Sequence, residues 1–185
     1  MTITANRVGV WILDDTYKKV ASGCWVYTTA AGDPGDLTLW VWGSNYGGSL
    51  GDNTTIPKSS PVQIPGTSWN SLSGRQRGMA TKTDGTLWAW GLNTYGCLGD
   101  NTIIPKSSPV QIPGTSWCIV RAAAHILAVK TDGTLWAWGK NNHGQLGINS
   151  CGDPRSSPVQ IPGTSWNDVR VGQNHSVARK TDDTL

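Results

Sequence analysis

The stretch Ile126-Leu127-Ala128-Val129-Lys130-Thr131-Asp132-Gly133-Thr134-Leu135-Trp136-Ala137-Trp138-Gly139 decides the fold. Its second half alternates with period two, so Trp136 and Trp138 share one face and Leu135 and Ala137 the other, as in a strand and not a helix. The Asp-Gly pair between two strand-like runs is a hairpin signal, because both turn positions favour positive φ. Working outward, Thr131 to Gly139 returns letter for letter at Thr83 to Gly91, and Leu37 to Gly43 is a weaker copy. Trp42, Trp90 and Trp138 therefore stand 48 residues apart.

A second block keeps the same interval. Ile56 to Trp69 recurs at Ile104 to Trp117, and its last eleven residues recur at Ser156 to Trp166. Repeats of this length stack, because one unit cannot bury its own apolar face. Pro158 to Pro162 reads as a short strand bounded by prolines, hence an edge. Asp168 to Gly172 supplies a further strand. Four short antiparallel strands per unit is the content of one propeller blade. The fold class expected is all-β: about three blades of a propeller in an incomplete ring, preceded by a short N-terminal helical docking segment. Residues 1–36 form that segment and residues 37–185 the repeats.

Composition agrees with this reading. Of 185 residues, 37% are apolar, 23 are glycine, 10 are proline and 11 are tryptophan, with no phenylalanine, so many turns join short elements and Trp fills the core. The net charge of +3 is dispersed along the chain, which disfavours a dedicated nucleic-acid binder. Val10 to Leu13 is too short an apolar run for a membrane span or a signal-peptide core, and Asp14 and Asp15 follow it. Cys24, Cys97, Cys118 and Cys151 show no Cys-x-x-Cys spacing and no paired His, and read as free thiols.

The pattern Gly-x-x-His-x-x-Ala ahead of Lys-Thr-Asp-Gly-Thr-Leu-Trp-Ala-Trp-Gly, followed by Asn141 to Gly147 (Asn-x-x-Gly-Gln-Leu-Gly), resembles the regulator of chromosome condensation repeat. Known members form β-propellers, commonly of seven blades. The resemblance covers Leu37 to Leu185 and amounts to little more than three repeats, the last copy reaching Asp182-Asp183-Thr184-Leu185. Propellers use about four to eight blades, so an arc of three exposes Trp-rich faces and unpaired edges, and should aggregate or find a partner. Either the chain is a segment of a longer one, or further subunits complete the structure. Leu37 to Gly43 opens the series with the strand that the last copy lacks, an arrangement that a neighbour can close.

The N-terminal segment departs from the repeat. Leu13, Tyr17, Val20 and Ala21 lie at helical spacing, with Asp14 and Asp15 ahead, Lys18 and Lys19 behind and Gly23 as a stop. A helix this short does not persist alone and must dock. Gly9-Val10-Trp11-Ile12-Leu13, followed by Tyr17 and Trp25, resembles the Gly-x-Trp-x-Leu opening of virion and tail proteins of tailed bacteriophages. That resemblance implies a docking role for Trp11, Leu13, Tyr17 and Trp25.

Candidate chemistry is thin. His125 and His175 share a repeat column with Arg77, an exchange that neither a metal site nor a general base tolerates, so a hydrogen bond between strands is expected there. Asp52 and Asp100 in Leu-Gly-Asp-Asn-Thr give one carboxylate each, and Ile148 replaces them in the third copy, which points to turn chemistry and not to calcium. Gly91, Gly96 and Gly99 are not followed by the Lys-Ser/Thr of a phosphate loop. Ser59 and Ser60 have no recurring base nearby. The columns Lys58, Lys106, Arg155 and Lys82, Lys130, Lys180 read as solvated gatekeepers of edge strands. Trp88, Trp90, Trp136 and Trp138 recur with their strand and belong between blades.

These readings predict a non-enzymatic structural and interaction protein of a bacteriophage virion. No catalytic residue, cofactor, metal, nucleic-acid partner or membrane insertion is expected. Its partners are other virion proteins or copies of itself, and a host-surface glycan or protein met through loops around Tyr46, Tyr95 and His143. The alternatives are a guanine-nucleotide exchange or chromatin-binding regulator, which the family resemblance implies, and a glycan-binding adhesin.

Overall fold

The computed structural model describes residues 37–74 and 76–181, and the backbone of two strands before them, β1 (Tyr17–Lys19) and β2 (Trp25–Tyr27). The repeats build twelve strands: β3 (Leu39–Gly43), β4 (Lys58–Ile64), β5 (Trp69–Gly74), β6 (Arg77–Lys82), β7 (Leu87–Gly91), β8 (Lys106–Ile112), β9 (Trp117–Ala122), β10 (His125–Lys130), β11 (Leu135–Gly139), β12 (Arg155–Ile161), β13 (Trp166–Val171) and β14 (Ser176–Lys180). β5-β6-β7-β8 and β9-β10-β11-β12 are complete antiparallel four-stranded sheets, flanked by the two-stranded sheets β3-β4 and β13-β14. Among the described residues the repeats are all-β apart from two single 3-10 turns, Tyr46–Gly48 and Thr94–Gly96.

Each complete sheet follows the sequence pattern. The decisive hairpin pairs His125 with Gly139 through Val129 with Leu135, and the preceding unit pairs Arg77 with Gly91 through Thr81 with Leu87. The turn differs from the expected Asp-Gly geometry. Only Gly85 and Gly133 adopt positive φ, the N–H of Gly133 bonds to the carbonyl of Lys130, and Asp132 Oδ1 accepts the Thr134 N–H at 2.9 Å. It is a three-residue loop with one left-handed glycine, in which the carboxylate braces the returning strand. The Pro-bounded strands β8 and β12 are outer edges, as the missing proline N–H requires.

The core lies between sheets. Met79, Leu87, Ile112, Val120, Ile126 and Trp138 form one buried cluster spanning the two complete sheets. Leu127, Val129, Leu135 and Val169 form a second cluster beneath β13-β14, and Leu39, Ile64, Trp69 and Trp90 a third beneath β3-β4. Burial at about 25 cal/mol per Å² of apolar area is thus realised only when units stack, which is the physical content of the repeat.

Two expectations are corrected here. The N-terminal helix proposed through Leu13, Tyr17, Val20 and Ala21 is not what Tyr17–Lys19 form: they are a strand, paired antiparallel with Trp25–Tyr27 in the register Tyr17 to Tyr27. One isolated helical turn fixes many dihedrals for few hydrogen bonds, whereas aromatic and β-branched Trp25-Val26-Tyr27 offers a strand to pair with. Leu13, Val20 and Ala21, like Trp11, lie outside the described residues. The reading of four free thiols also fails, because Cys118 is disulfide-bonded. A disulfide requires only that two Cβ atoms come within about 4 Å in space, which spacing along the chain does not report. Cys97 and Cys151 are free.

Candidate interaction surfaces

Three recurring devices brace the units or join them, and they account for most residues singled out in the sequence. The first is a loop clasp. Asn45, Asn93 and Asn141 are buried, and each side-chain carbonyl accepts the N–H of the leucine five residues on, for Asn93 the Leu98 N–H at 2.9 Å. Nδ2 of Asn93 donates to Asp100 Oδ1 and to the carbonyls of Thr102 and Ile104. The clasp then holds the next unit: Asn53 and Asn101 donate their backbone N–H groups to the carbonyls of Ser107 and Ser156.

Asp52 and Asp100 complete this clasp and not an ion site. Oδ1 of Asp52 accepts from Asn45, from the Thr54 N–H and from the Thr54 hydroxyl, while Oδ2 pairs with Lys58 at 3.2 Å; Asp100 pairs with Lys106 at 3.6 Å. Burial alone would raise the Asp52 pKa, but the hydrogen bonds from Thr54, Lys58 and Asn45 outweigh it and hold it below the ordinary value. Lys58 and Lys106 are therefore partners of these carboxylates, not solvated gatekeepers.

The second device is a Trp–Lys–Trp stack. Lys82 Nζ sits 4.8 Å from the ring centroids of both Trp69 and Trp88, and Lys130 Nζ sits 4.7 and 4.6 Å from those of Trp117 and Trp136. The flanking rings also meet edge to face, Trp117 against Trp136 and Trp138 at 6.0 Å. A cation between two indoles is worth about 0.5–2 kcal/mol per contact, so this lysine column is a structural cation and not a solvated one. The sequence carried the signal, since each lysine keeps a fixed distance from two tryptophans, but neighbours across a sheet are not neighbours along the chain.

The third device is the Arg77, His125, His175 column. The expected bond between strands proves to be a bond between sheets. His125 Nε2 lies 2.8 Å from Ser176 Oγ on β14, and Arg77 donates to the carbonyls of Leu92 and of Ala123 in the next unit. Ser176 Oγ donates to the Gln145 carbonyl at 2.6 Å, so the His125 N–H donates to Ser176 and Nδ1 is left bare. A serine whose proton is committed to a carbonyl is not an activated nucleophile. Burial first, then the nearby positive charges of His175 and Lys140, lowers the His125 pKa to about 4.

The loop residues proposed to meet a ligand are placed on successive units. Tyr46 is 74% exposed, Tyr95 is exposed with φ +63° and Lys140 Nζ 6.0 Å above its ring, and His143 is exposed on the third loop. Each belongs to a different clasp, and no ring contact joins them among the described residues. Of the docking set, Tyr17 and Trp25 fall in the paired strands β1 and β2, and Trp11 and Leu13 lie outside the described residues.

Large apolar side chains are exposed on the two-stranded sheets and on the edge strand β5. Trp42 is 62% exposed although Trp90 and Trp138, its equivalents, are buried; Trp40, Leu72 and Val177 are exposed as well. A groove of about 580 Å³ runs between Leu39, Trp40 and Val41 of β3 and Leu72, Ser73 and Gly74 of β5.

Units that clasp, stack and bury their tryptophans in this way define a β-propeller repeat protein. Residues 84–125 and 132–179 match the family model of the regulator of chromosome condensation (RCC1) repeat. Solved structures agree on the fold. The chain is similar to human WBSCR16 (TM-score 0.65, 19% identity, 86% of this chain and 43% of that one). It is likewise similar to yeast RCC1 (Prp20) in its complex with Kap60 (0.66, 24%, 79% and 38%). Prp20p from Saccharomyces cerevisiae, described with its binding to Gsp1p and histones, matches with 0.66, 21%, 79% and 41%. The chain spans about two fifths of the length of these proteins. No curated protein sequence matches it.

Proposed function

We propose that this chain is a non-enzymatic structural and interaction protein of a tailed-bacteriophage virion, made in the host cytoplasm and incorporated into the particle. The observation that carries the assembly part is the bare apolar surface at β3, β5 and β14, where Trp42, Leu72 and Val177 stay exposed while their repeat equivalents are buried. Exposed apolar residues clustered at sheet edges mark a protein contact. The Gly9 to Leu13 string supports the particle assignment. The loops bearing Tyr46, Tyr95 and His143 are available to a host-surface glycan or protein, and the committed Ser176 proton and the saturated Asp52 support a binding role over an enzymatic one. Mass spectrometry of density-purified particles tests this: the protein is expected at a fixed copy number, and particles that lack it overturn the reading.

A second reading, a nucleotide-exchange or chromatin-binding regulator, draws on the Gsp1p and histone binding described for the yeast protein. Accelerated nucleotide release from a small GTPase, or retention on histones, would establish it in place of the first.

A further inference from the structure

The two-stranded sheets carry complementary halves of one blade. β3-β4 corresponds to β7-β8 and to β11-β12, while β13-β14 corresponds to β5-β6 and to β9-β10. We propose that a second copy of this chain supplies what each lacks: β14 of one copy pairs antiparallel with β3 of another, giving a four-stranded sheet in the order β13-β14-β3-β4. The pairing goes beyond the virion reading and does not depend on it.

Four observations specify this occupant. The register follows from the complete sheets, where Leu127 pairs with Ala137 and Met79 with Ala89. The corresponding pair is Val177 with Val41. The cation stacks follow as well. Lys180 Nζ lies 5.0 Å from the Trp166 ring and, unlike Lys82 and Lys130, meets no second indole among the described residues, while Trp40, the equivalent of Trp88 and Trp136, meets no lysine among them. The pairing places Lys180 between Trp166 and Trp40.

Apolar knobs are matched too. Met79 shares a buried cluster with Val120, and Leu127 shares one with Val169. The next members of these columns are Val177, 58% exposed, and Leu72, 56% exposed. A second copy's β13-β14 in the groove beside β3 puts its Val177 against Leu72. Finally, a seat stands open. Gly51 and Gly99, both at positive φ, are closed over by the next unit's indole, a Cβ there meeting Trp90 at 2.6 Å and Trp138 at 2.7 Å. Gly147 has the same φ sign, yet among the described residues a Cβ there meets only Ile161 of its own unit, at 3.7 Å. The indole that belongs over Gly147 is Trp42 of the second copy.

Edge, cation, knob and seat all point to one partner with this chain's own sequence. The contact is heterologous, and with three blades' worth of strands in the described residues 37–181 of each copy two such contacts close a ring of six blades, within the usual range. The test is the mass in solution of the full chain at micromolar concentration. Light scattering is expected to give about twice the 19.8 kDa of one chain. Trp42→Lys and Val177→Glu, both at exposed positions, are expected to keep the circular dichroism of the parent and to shift it to the single-chain mass, with at least a tenfold weaker association. Mixing Val41→Cys with Val177→Cys, each on a Cys151→Ser background, is expected to give a disulfide joining the two introduced cysteines, identified by peptide mapping; Val41→Cys with Ala178→Cys, out of register, is not. A parent of single-chain mass, an assembly indifferent to both substitutions, or no mapped crosslink would overturn the pairing. A chain that dimerises but is missing from particles would retire the virion reading alone.

Discussion

His125 Nε2 on β10 and Ser176 Oγ on β14 meet at 2.8 Å, although 51 residues separate them and they belong to different sheets. The bond tethers the last two-stranded sheet to its neighbour, and Ser176 passes the link on to the carbonyl of Gln145. Ser176→Ala leaves a buried imidazole N–H and that carbonyl without partners. A buried polar group left unsatisfied costs about 1–3 kcal/mol, so the variant is expected to unfold at a lower urea midpoint with an unchanged m-value.

The same imidazole makes the fold acid-sensitive above the carboxylate range. His125 titrates at about 4 in the folded chain against 6.5 in the unfolded one, so between these values the unfolded state binds the extra proton. Stability is therefore expected to fall as pH drops from about 6.5 towards 4. Asp52, Asp84 and Asp132, held below their ordinary 3.8, withdraw their contribution only at still lower pH. Urea midpoints measured across this range should be flatter for His125→Gln than for the parent. An unchanged slope would show that another group carries the effect.

Much of this was legible from the 48-residue interval alone. Strand faces, outer edges and buried tryptophans follow from period-two patterning and proline placement, because both are local steric facts. Lys82, Lys130 and Lys180 were misjudged because a lysine's surroundings depend on which side chains lie across the sheet. The exchange of His125 with Arg77 pointed to a hydrogen-bonding column, yet its bond to the neighbouring sheet depends on how units stack. The Tyr17–Lys19 strand was missed because three residues of helical spacing weigh little against a partner strand eight residues on. Cys118 shows the same limit for covalent contacts.

Trp138 and Trp42 occupy one column in opposite environments, which separates burial from residue type. Trp138 is fully buried, and its Nε1 donates to the Cys97 carbonyl of the preceding unit at 3.0 Å. Trp138→Ala is expected to cost about 3–5 kcal/mol, the range for a large aromatic removed from a core. Trp42→Ala, in a sample diluted to single chains, is expected to change stability by no more than about 0.5 kcal/mol. Comparable losses for the two in chemical denaturation would mean that Trp42 is covered within one copy.

The clasp asparagines allow a sharper comparison. Asn93 Nδ2 reaches four acceptors, Asp100 Oδ1, the carbonyl and hydroxyl oxygens of Thr102 and the carbonyl of Ile104, and Asn93 takes the Leu98 N–H on its own carbonyl. Asn93→Asp keeps the acceptor for Leu98 but replaces the donor by a carboxylate facing Asp100 and two carbonyls, so it is expected to be more damaging than Asn93→Ala, which only vacates the site. The alanine variant leaves several groups unmet and should lose about 2–4 kcal/mol, at 1–3 kcal/mol for each group that water cannot reach. Because Asn101 in the same loop donates to the Ser156 carbonyl of the next unit, hydrogen exchange should quicken at Asn101 as well as at Leu98 in both variants. Exchange that quickens at Leu98 alone would show that the loop's inner bonds and its hold on the next unit are independent.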